Sequence, residues 1–159
     1  MRNGCPPDAE AEQRFTACPR GNTMPVAPLS SLDSFRDRVV YIQRELTRRP
    51  ALGPENNGTG ETEKAAWLLD FMKGIGLSEI REHPCPDDRV PDGFRPNISA
   101  KVPGKERRTL WLIGHMDVVP VGDRSLWKTD PFELTVDGDY VIGRGVEDNQ
   151  QAIVTGLVA

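Results

Sequence analysis

A histidine and an aspartate two residues apart are the first side chains in this sequence whose types and spacing suit catalysis. They lie in the segment Gly114-His115-Met116-Asp117, directly after an apolar run. If the backbone is extended here, both side chains point to the same side. His115 would then bind a metal through one ring nitrogen, while Asp117 would hold the proton of the other and orient the ring. The alternative for a single His-x-Asp motif is an ordinary surface or core pair, which is the commoner case.

Residues 143–149, with the sequence Gly-Arg-Gly-Val-Glu-Asp-Asn, form a second candidate segment. They follow a predicted strand and precede a predicted helix, and the glycines permit a tight turn. The carboxylate of Asp148 could bridge two cations because each of its oxygens can bind one. The alternative is that Glu147 and Asp148 only cap a helix beginning at Asn149, with negative charge at its positive end. Taken alone, the segment favours the cap.

Two amphipathic helices come before these segments and are expected to serve as scaffold. In the first, apolar residues recur at spacings of three and four, with Ser31 as the predicted N-cap and Pro50 stopping the helix. Its apolar face consists of Leu32, Phe35, Val39, Ile42 and Leu46. The second helix is predicted at 61–73, with Gly74 or Gly76 in the left-handed position at its end. Its apolar face consists of Ala65, Leu68, Leu69 and Met72.

The continuous apolar run at 109–113 predicts a strand that is covered on both faces, at the centre of an α/β sheet. The end of such a strand is where open α/β folds place their sites, which suits His115. Further strands are predicted at 78–82, 97–102, 133–136 and 140–142, the last two as a hairpin. A buried helix is predicted from Gln150 onward.

Composition excludes several other classes of function. The formal net charge of −4 argues against non-specific nucleic-acid binding, and no apolar stretch predicts a membrane span or a secretory signal. The cysteines are three in number and widely spaced, which predicts neither a disulfide framework nor a zinc pair, and favours the cytoplasm. Residues 1–28 are polar and rich in Pro and Gly, so we expect a disordered leader.

The order of the motifs resembles the co-catalytic zinc peptidase and deacylase family that includes aminoacylase, glutamate carboxypeptidase, acetylornithine deacetylase, succinyl-diaminopimelate desuccinylase and the dinuclear dipeptidases. The resemblance covers about residues 31–159. The motifs that carry it are His115-Met116-Asp117, Val118-Val119-Pro120, Trp127, Asp130-Pro131-Phe132, Gly138, Gly143-Arg144-Gly145 and Asp148, with Gly53–Asn56, Gly60–Ala65 and Arg95–Gly104 upstream.

The resemblance implies a three-layer α/β/α zinc-peptidase-like catalytic domain with a mixed central sheet, here truncated. Residues 29–159 would be the N-terminal part of that domain, without the lid or dimerisation domain and the C-terminal part. His115 would ligate one metal, Asp148 would bridge both, and Asp117 would be the catalytic residue that orients His115. The bond between Asp148 and Asn149 falls where the family has a cis linkage. Packing roles are implied for Trp127, Pro131, Phe132 and Arg144.

The sequence also departs from the family pattern. Gln150 and Gln151 stand where the family has Lys-Gly. Neither His83, expected to be a surface residue, nor any glutamate matches the family's paired glutamates, its further carboxylate ligand or its final histidine. We therefore expect an N-terminal fragment that is inactive alone.

The implied function is metal-dependent hydrolysis of amide bonds, by a peptidase or an N-acyl-amino-acid deacylase. The implied cofactors are two divalent metal ions, zinc in the first place with cobalt or manganese as substitutes. The substrate would be a small peptide or an N-acyl amino acid, and the full-length form would be able to form a homodimer. The alternative is a non-catalytic, degenerate relative that acts as an interaction protein. A third interpretation is an unrelated α/β domain with an accidental His-x-Asp.

Overall fold

The structure, a computed structural model, describes residues 34–159. The predicted leader at 1–28 and the predicted N-cap Ser31 lie outside the described residues. The helices are α1 (Phe35–Thr47), α2 (Thr62–Gly74) and α3 (Gln151–Val158). The strands are β1 (Arg81–Glu82), β2 (Cys85–Pro86), β3 (Phe94–Arg95), β4 (Ile98–Ser99), β5 (Thr135–Asp137) and β6 (Tyr140–Ile142). Short 3-10 turns lie at Pro54–Asn56 and Arg124–Leu126, and a wide π turn at Val146–Gln150.

Helix α1 begins with an N-cap serine. Ser34 has the extended backbone of an N-cap, and its hydroxyl oxygen accepts from the backbone N–H of Asp37 at 3.1 Å. The same hydroxyl donates to the Asp37 carboxylate at 2.6 Å, so Ser34 and Asp37 satisfy each other. The helix ends at Thr47, ahead of Pro50, as predicted.

The end of α2 settles which glycine supplies the left-handed residue. Gly76 has a φ of +80°, and its N–H donates to the Lys73 carbonyl at 3.0 Å. The N–H of Leu77 donates to the Met72 carbonyl at 3.0 Å. These two bonds are the Schellman arrangement, which satisfies carbonyls left over at a helix end. Gly74 is instead the last residue of the helix.

The three helices enclose the hydrophobic core. Its buried members are Ile42, Leu46, Trp67, Leu68, Phe71, Met72 and Val154. Trp67 and Phe71 stack with their ring centroids 5.0 Å apart. The predicted faces of α1 and α2 are confirmed at Ile42, Leu46, Ala65, Leu68 and Met72, whereas Phe35 is exposed. The predicted helix at the end of the chain is confirmed as α3, which contributes Val154.

The strands form three separate antiparallel pairs: β1 with β4, β2 with β3, and β5 with β6. The predicted strands at 78–82 and 97–102 are each reduced to two residues, β1 and β4. The hairpin is confirmed, because Asp137 pairs with Tyr140 and Gly138 between them has a φ of +57°. The described residues are thus α/β, with small antiparallel sheets.

The predicted central strand at 109–113 is wrong for the described residues. This segment pairs with no strand among residues 34–159, and Leu110 and Ile113 are 85% and 80% exposed. An apolar strand is buried only where neighbouring strands flank it and layers cover both faces. Here the C-terminal part of the segment lies against α3. Further along the chain, Val118 forms a single isolated parallel bridge with Leu52.

Within the described range, the helices are too short or too polar to cross a bilayer.

We expect alanine at Gly74 and at Gly76 to change stability in opposite directions. A Cβ at either position would meet no atom within 4 Å, so sterics with neighbours play no part. Gly74→Ala should raise the free energy of unfolding by about 0.5–1 kcal/mol at most, because Gly74 is still part of the helix and alanine loses less backbone freedom there than glycine. Gly76→Ala should lower it by about 1–2 kcal/mol, since its φ is left-handed. Urea unfolding of both variants measures this, and the same sign for both would contradict the proposed helix end.

Candidate metal centre

Two glycines allow the segments that carry His115 and Asp148 to lie close together. A Cβ on Gly114 would stand 2.9 Å from the Ile153 side chain and 3.1 Å from Asn149 Oδ1. A Cβ on Gly145, which has a φ of +84°, would stand 2.5 Å from the Val118 side chain. The 2.9 Å distance at Gly114 and the 2.5 Å distance at Gly145 are shorter than the contacts that a Cβ makes in proteins, so this packing requires glycine at both positions.

The imidazole of His115 lies between two carboxylates. Its Nε2 is 3.0 Å from Asp148 Oδ1, and its Nδ1 is 3.0 Å from Asp117 Oδ1 and 3.1 Å from the Asp117 carbonyl. The backbone N–H of His115 donates to Asn149 Oδ1 at 3.1 Å. The structure therefore brings together all three residues that the sequence singled out. Their roles in binding and catalysis remain predictions.

The surroundings of His115 favour a proton or another cation on the ring. Partial burial alone would lower the pKa of His115, but the hydrogen bond with Asp148 and the negative charge of Asp117 outweigh it. The pKa of His115 is therefore raised above its ordinary value. Asp117 and its carbonyl give Nδ1 two acceptors, which favours a proton there and leaves Nε2 facing Asp148.

The donor set fits part of a metal site. A neutral His nitrogen and a carboxylate oxygen are ligands that zinc accepts, and a carboxylate on the other ring nitrogen is the usual support for such a histidine. Asp117 occupies that supporting position, so His115 and Asp148 are the two candidate ligands. Among residues 34–159, however, His, Cys, Asp and Glu side chains form no group of three that could hold a metal.

The turn that carries Asp148 is not a helix cap. Asp148 and Asn149 have non-helical backbone angles inside the π turn, and the peptide bond between them is cis, as the resemblance implied. Helix α3 begins later, at Gln151, with no side-chain cap. The alternative, in which Glu147 and Asp148 cap a helix at Asn149, is therefore wrong. Asp148 instead directs its carboxylate to His115.

Helix α1 holds the Asp148 turn through a buried polar network. The Thr47 hydroxyl donates to Gln150 Oε1 at 3.1 Å, and Gln43 Nε2 donates to the Val146 carbonyl at 3.2 Å. The backbone N–H of Gln150 donates to the Gly145 carbonyl at 3.0 Å. Gln150 is a departure from the family pattern in the sequence. In the structure it is buried and links the turn to α1.

Helix α2 reaches the other segment through Lys64, whose Nζ donates to the Met116 carbonyl at 2.9 Å. Burial lowers the pKa of Lys64 to about 8, against the opposing charges of Asp117 and Glu61. The carboxylate of Glu61 is itself paired with Arg95, whose Nε lies 2.6 Å away. Lys64 is a site residue that the sequence interpretation missed.

A signal for Lys64 was present in the sequence. It lies four residues before Leu68, so it falls on the apolar face of the predicted helix. A lysine on the face of a helix that packs against the core is stable there only if its ammonium group has a polar partner. No comparable signal marks Glu61 or Arg95, because their pairing joins positions far apart in the chain.

The loop between the two segments packs as the resemblance implied. Trp127 Nε1 donates to the Val121 carbonyl at 2.9 Å, and the Arg144 guanidinium lies over the Trp127 ring at 5.2 Å. Pro131 is buried and its carbonyl accepts from the Arg144 backbone N–H at 2.6 Å. His83 is exposed, as predicted, and its Nε2 lies 2.9 Å from the Ser99 hydroxyl.

Comparisons with known proteins match the part of the chain that carries the candidate site. The model of peptidase family M20/M25/M40 matches residues 111–159, a range that contains His115, Asp117 and Asp148. An uncharacterized metallohydrolase of Methanocaldococcus jannaschii is 32% identical over 126 residues, which are 77% of this chain and 31% of that protein. The resemblance to this family of zinc peptidases and deacylases is confirmed, with the family match lying in residues 111–159.

Other relatives in the same comparison carry names of peptidases and deacylases. A protein of Saccharomyces cerevisiae named as a probable di- and tripeptidase is 38% identical over 98 residues, 58% of this chain and 11% of that protein. A succinyl-diaminopimelate desuccinylase of Caulobacter sp. is 31% identical over 137 residues, 86% of this chain and 30% of that protein. The chain thus spans a third or less of the length of the curated relatives it matches.

Replacing Gly114 should separate His115 from Asp148 in the candidate metal centre. We expect Gly114→Ala to push His115 away from Asp148 and to lower the free energy of unfolding by about 1–3 kcal/mol, because the added methyl overlaps Ile153. The pKa of His115 should then fall toward its ordinary value, since it loses the hydrogen bond with Asp148. Titration of the ring by NMR measures this.

Gly104→Ala is the matched control for that substitution. A Cβ on Gly104 would meet nothing within 4 Å. The control should leave both the stability and the His115 titration unchanged. An unaltered His115 pKa in Gly114→Ala would contradict the close approach described here.

Proposed function

We propose that this chain is the N-terminal part of a metal-dependent hydrolase of amide bonds, of the peptidase or N-acyl-amino-acid deacylase type. The observation that supports it is the meeting of His115 Nε2 and Asp148 Oδ1 at 3.0 Å, with Asp117 on the opposite ring nitrogen. The match to the M20/M25/M40 family and the names of the relatives point to the same chemistry. Residues 29–159 would belong to a three-layer catalytic domain with a mixed central sheet.

The proposed cofactors are two divalent metal ions, with zinc preferred over cobalt or manganese. His115 would hold one of them and Asp148 would bridge the pair. When bound, such a pair lowers the pKa of a water molecule and polarises the scissile carbonyl. The Asp148 side chain is 82% exposed, so its carboxylate is accessible to a second cation.

Asp117 acts on the ring rather than on the substrate in this proposal. By holding the proton of Nδ1, it fixes the tautomer in which Nε2 presents a lone pair to the metal. The same contact raises the basicity of Nε2. The predicted catalytic contribution of Asp117 is therefore to keep His115 competent as a ligand.

The chain by itself is proposed to be inactive. Zinc in protein sites takes four ligands, or three and a water molecule. His115 and Asp148 supply two, and the other carboxylates of residues 34–159 do not complete a metal group. Amide hydrolysis also needs a general base for the water's proton, and no glutamate of this sequence matches the paired glutamates of the family.

The proposed substrates are small peptides or N-acyl amino acids. Names of the relatives include a di- and tripeptidase and a desuccinylase, which together span both substrate classes. A homodimer of the full-length form and a cytoplasmic location stay predictions from the sequence. The non-catalytic interaction protein is not favoured, because the three site residues and their mutual contacts are all retained.

Zinc binding tests the site directly. We expect the purified chain to bind zinc weakly, and His115→Ala to abolish binding, while His83→Ala, the matched loss of an exposed histidine, leaves it unchanged. Asp117→Asn should weaken binding about 10–100-fold, because it removes the support of the ligand. Isothermal titration calorimetry measures each affinity. Equal binding by the two histidine variants would remove the basis of the proposed centre.

The pH dependence of zinc binding has a definite sign. Zinc needs the neutral ring, and the raised pKa of His115 means that the metal-free ring loses its second proton at a higher pH than an ordinary histidine does. Affinity should therefore increase as pH rises through the pKa of His115 and level off above it. Proton release on binding, measured by calorimetry in buffers of different ionisation enthalpy, should fall to zero in the plateau.

Hydrolysis is tested in a chimera. Residues 29–159 replace the corresponding part of the Caulobacter desuccinylase, and circular dichroism checks that the product folds. We expect zinc-dependent release of an amine from dipeptide or N-succinyl substrates, lost with His115→Ala and kept with His83→Ala. A chimera that folds and binds zinc without turnover would contradict the proposed activity. The chain alone should show no turnover above that of His115→Ala.

A further inference from the structure

A buried lysine lies directly against the segment that carries His115. Lys64, on α2, is 1% exposed, and its Nζ donates to the Met116 carbonyl at 2.9 Å. Met116 is the residue between His115 and Asp117. An ammonium group this deeply buried is rare in proteins and persists only with partners.

Stability alone does not explain a lysine at this position. Burial penalises its charged form, as the lowered pKa shows. An apolar residue of similar length would fill the same space on the core-facing side of α2 without that cost. The negative charges near it are Glu61, which is already paired with Arg95, and Asp117.

The contact with Met116 has a geometric consequence. The Met116 carbonyl belongs to the peptide group that leads into Asp117, so fixing that oxygen fixes the direction in which the Asp117 backbone leaves. Both the carboxylate and the carbonyl of Asp117 lie against Nδ1 of His115, at 3.0 and 3.1 Å. A rotation of this peptide group would move both acceptors away from the ring.

Two further backbone bonds restrain the same segment on either side of this contact. The N–H of His115 donates to Asn149 Oδ1, and the N–H of Val118 donates to the Ala51 carbonyl at 2.9 Å. Neither of them restrains the peptide group between Met116 and Asp117. Lys64 supplies the restraint at that point.

We propose that Lys64 is a positioning residue for the metal centre: its ammonium group fixes the Met116 carbonyl and thereby the pairing of Asp117 with Nδ1 of His115. We expect this effect of Lys64 on the His115 ring in the metal-free chain as well. Its consequence for metal affinity rests on the proposed function.

The test is the tautomer of His115 in the metal-free, full chain. Nitrogen-15 NMR of the imidazole, at a pH where the ring is neutral, distinguishes a proton on Nδ1 from one on Nε2. In the wild type we expect a tautomer equilibrium weighted toward the proton on Nδ1, because that nitrogen has two acceptors and Nε2 has one. In Lys64→Met, which keeps an unbranched apolar chain as far as Cε and removes the donor, both nitrogen shifts should move toward those of the tautomer with the proton on Nε2, where Asp148 still accepts.

The control is Met72→Ala, on the same helix two turns away. Met72 is buried, so its loss destabilises the core without touching the site. We expect this variant to keep the wild-type tautomer. Should Lys64→Met fail to fold, Lys64→Gln is measured instead, because it stays polar but is one bond too short to reach the Met116 carbonyl.

Zinc affinity provides the second measurement. Lys64→Met should raise the zinc Kd about tenfold, as loss of a ligand's support does, and Met72→Ala should not. The proposal would be overturned if the Lys64 variant kept the wild-type tautomer. It would also be overturned if the Lys64 variant and Met72→Ala changed the tautomer and the zinc Kd by the same amounts. Failure of the wild type to bind zinc would count against the proposed function alone, because the tautomer result does not depend on metal.

Discussion

The candidate centre depends on one imidazole being held between two carboxylates from different parts of the chain. Asp117 reaches Nδ1 of His115 from two residues away, so that contact is local. Asp148 lies 33 residues after His115 and reaches Nε2 because the backbone of Gly114 packs directly against the side chains of Asn149 and Ile153. The absence of a side chain at this glycine sets the distance between the two candidate ligands. Metal chemistry would follow from that distance, since ligand atoms must converge on one point.

The residues that secure this approach are polar groups in places where a core would accept apolar ones. Lys64 and Gln150 are both 1% exposed, and each is bonded to the segment or the turn that carries a candidate ligand. Buried polar groups cost free energy unless they are paired, so a scaffold selected for stability alone would replace them. Local departures of this kind are expected where a structure positions a functional group. Lys64 lies on α2, and Gln150 is bonded by Thr47 of α1, so both helices contribute to the position of the candidate ligands.

The sequence predicts those parts of the fold that depend on neighbours along the chain. The apolar faces of both helices and the hairpin around Gly138 are set by local periodicity and turn chemistry, and the structure confirms them. Prediction failed where the outcome depends on distant partners. The run at 109–113 has the composition of a buried strand, but composition cannot supply the strands that must flank it. Likewise the pairing of Glu61 with Arg95 joins two positions that no local pattern connects.

The failure of the strand prediction changes the reason for the placement of His115, although not the placement itself. We expected a central strand to fix the histidine at a sheet end. Among the described residues the preceding run is unpaired, and the segment is restrained instead by Ala51, Lys64 and Asn149. These contacts come from the loop after α1, from α2 and from the Asp148 turn. Three restraints from independent elements suffice to orient a short segment, because each removes a different freedom of its backbone. Among the described residues, the contacts that hold the segment around His115 therefore come from helices and turns of this chain.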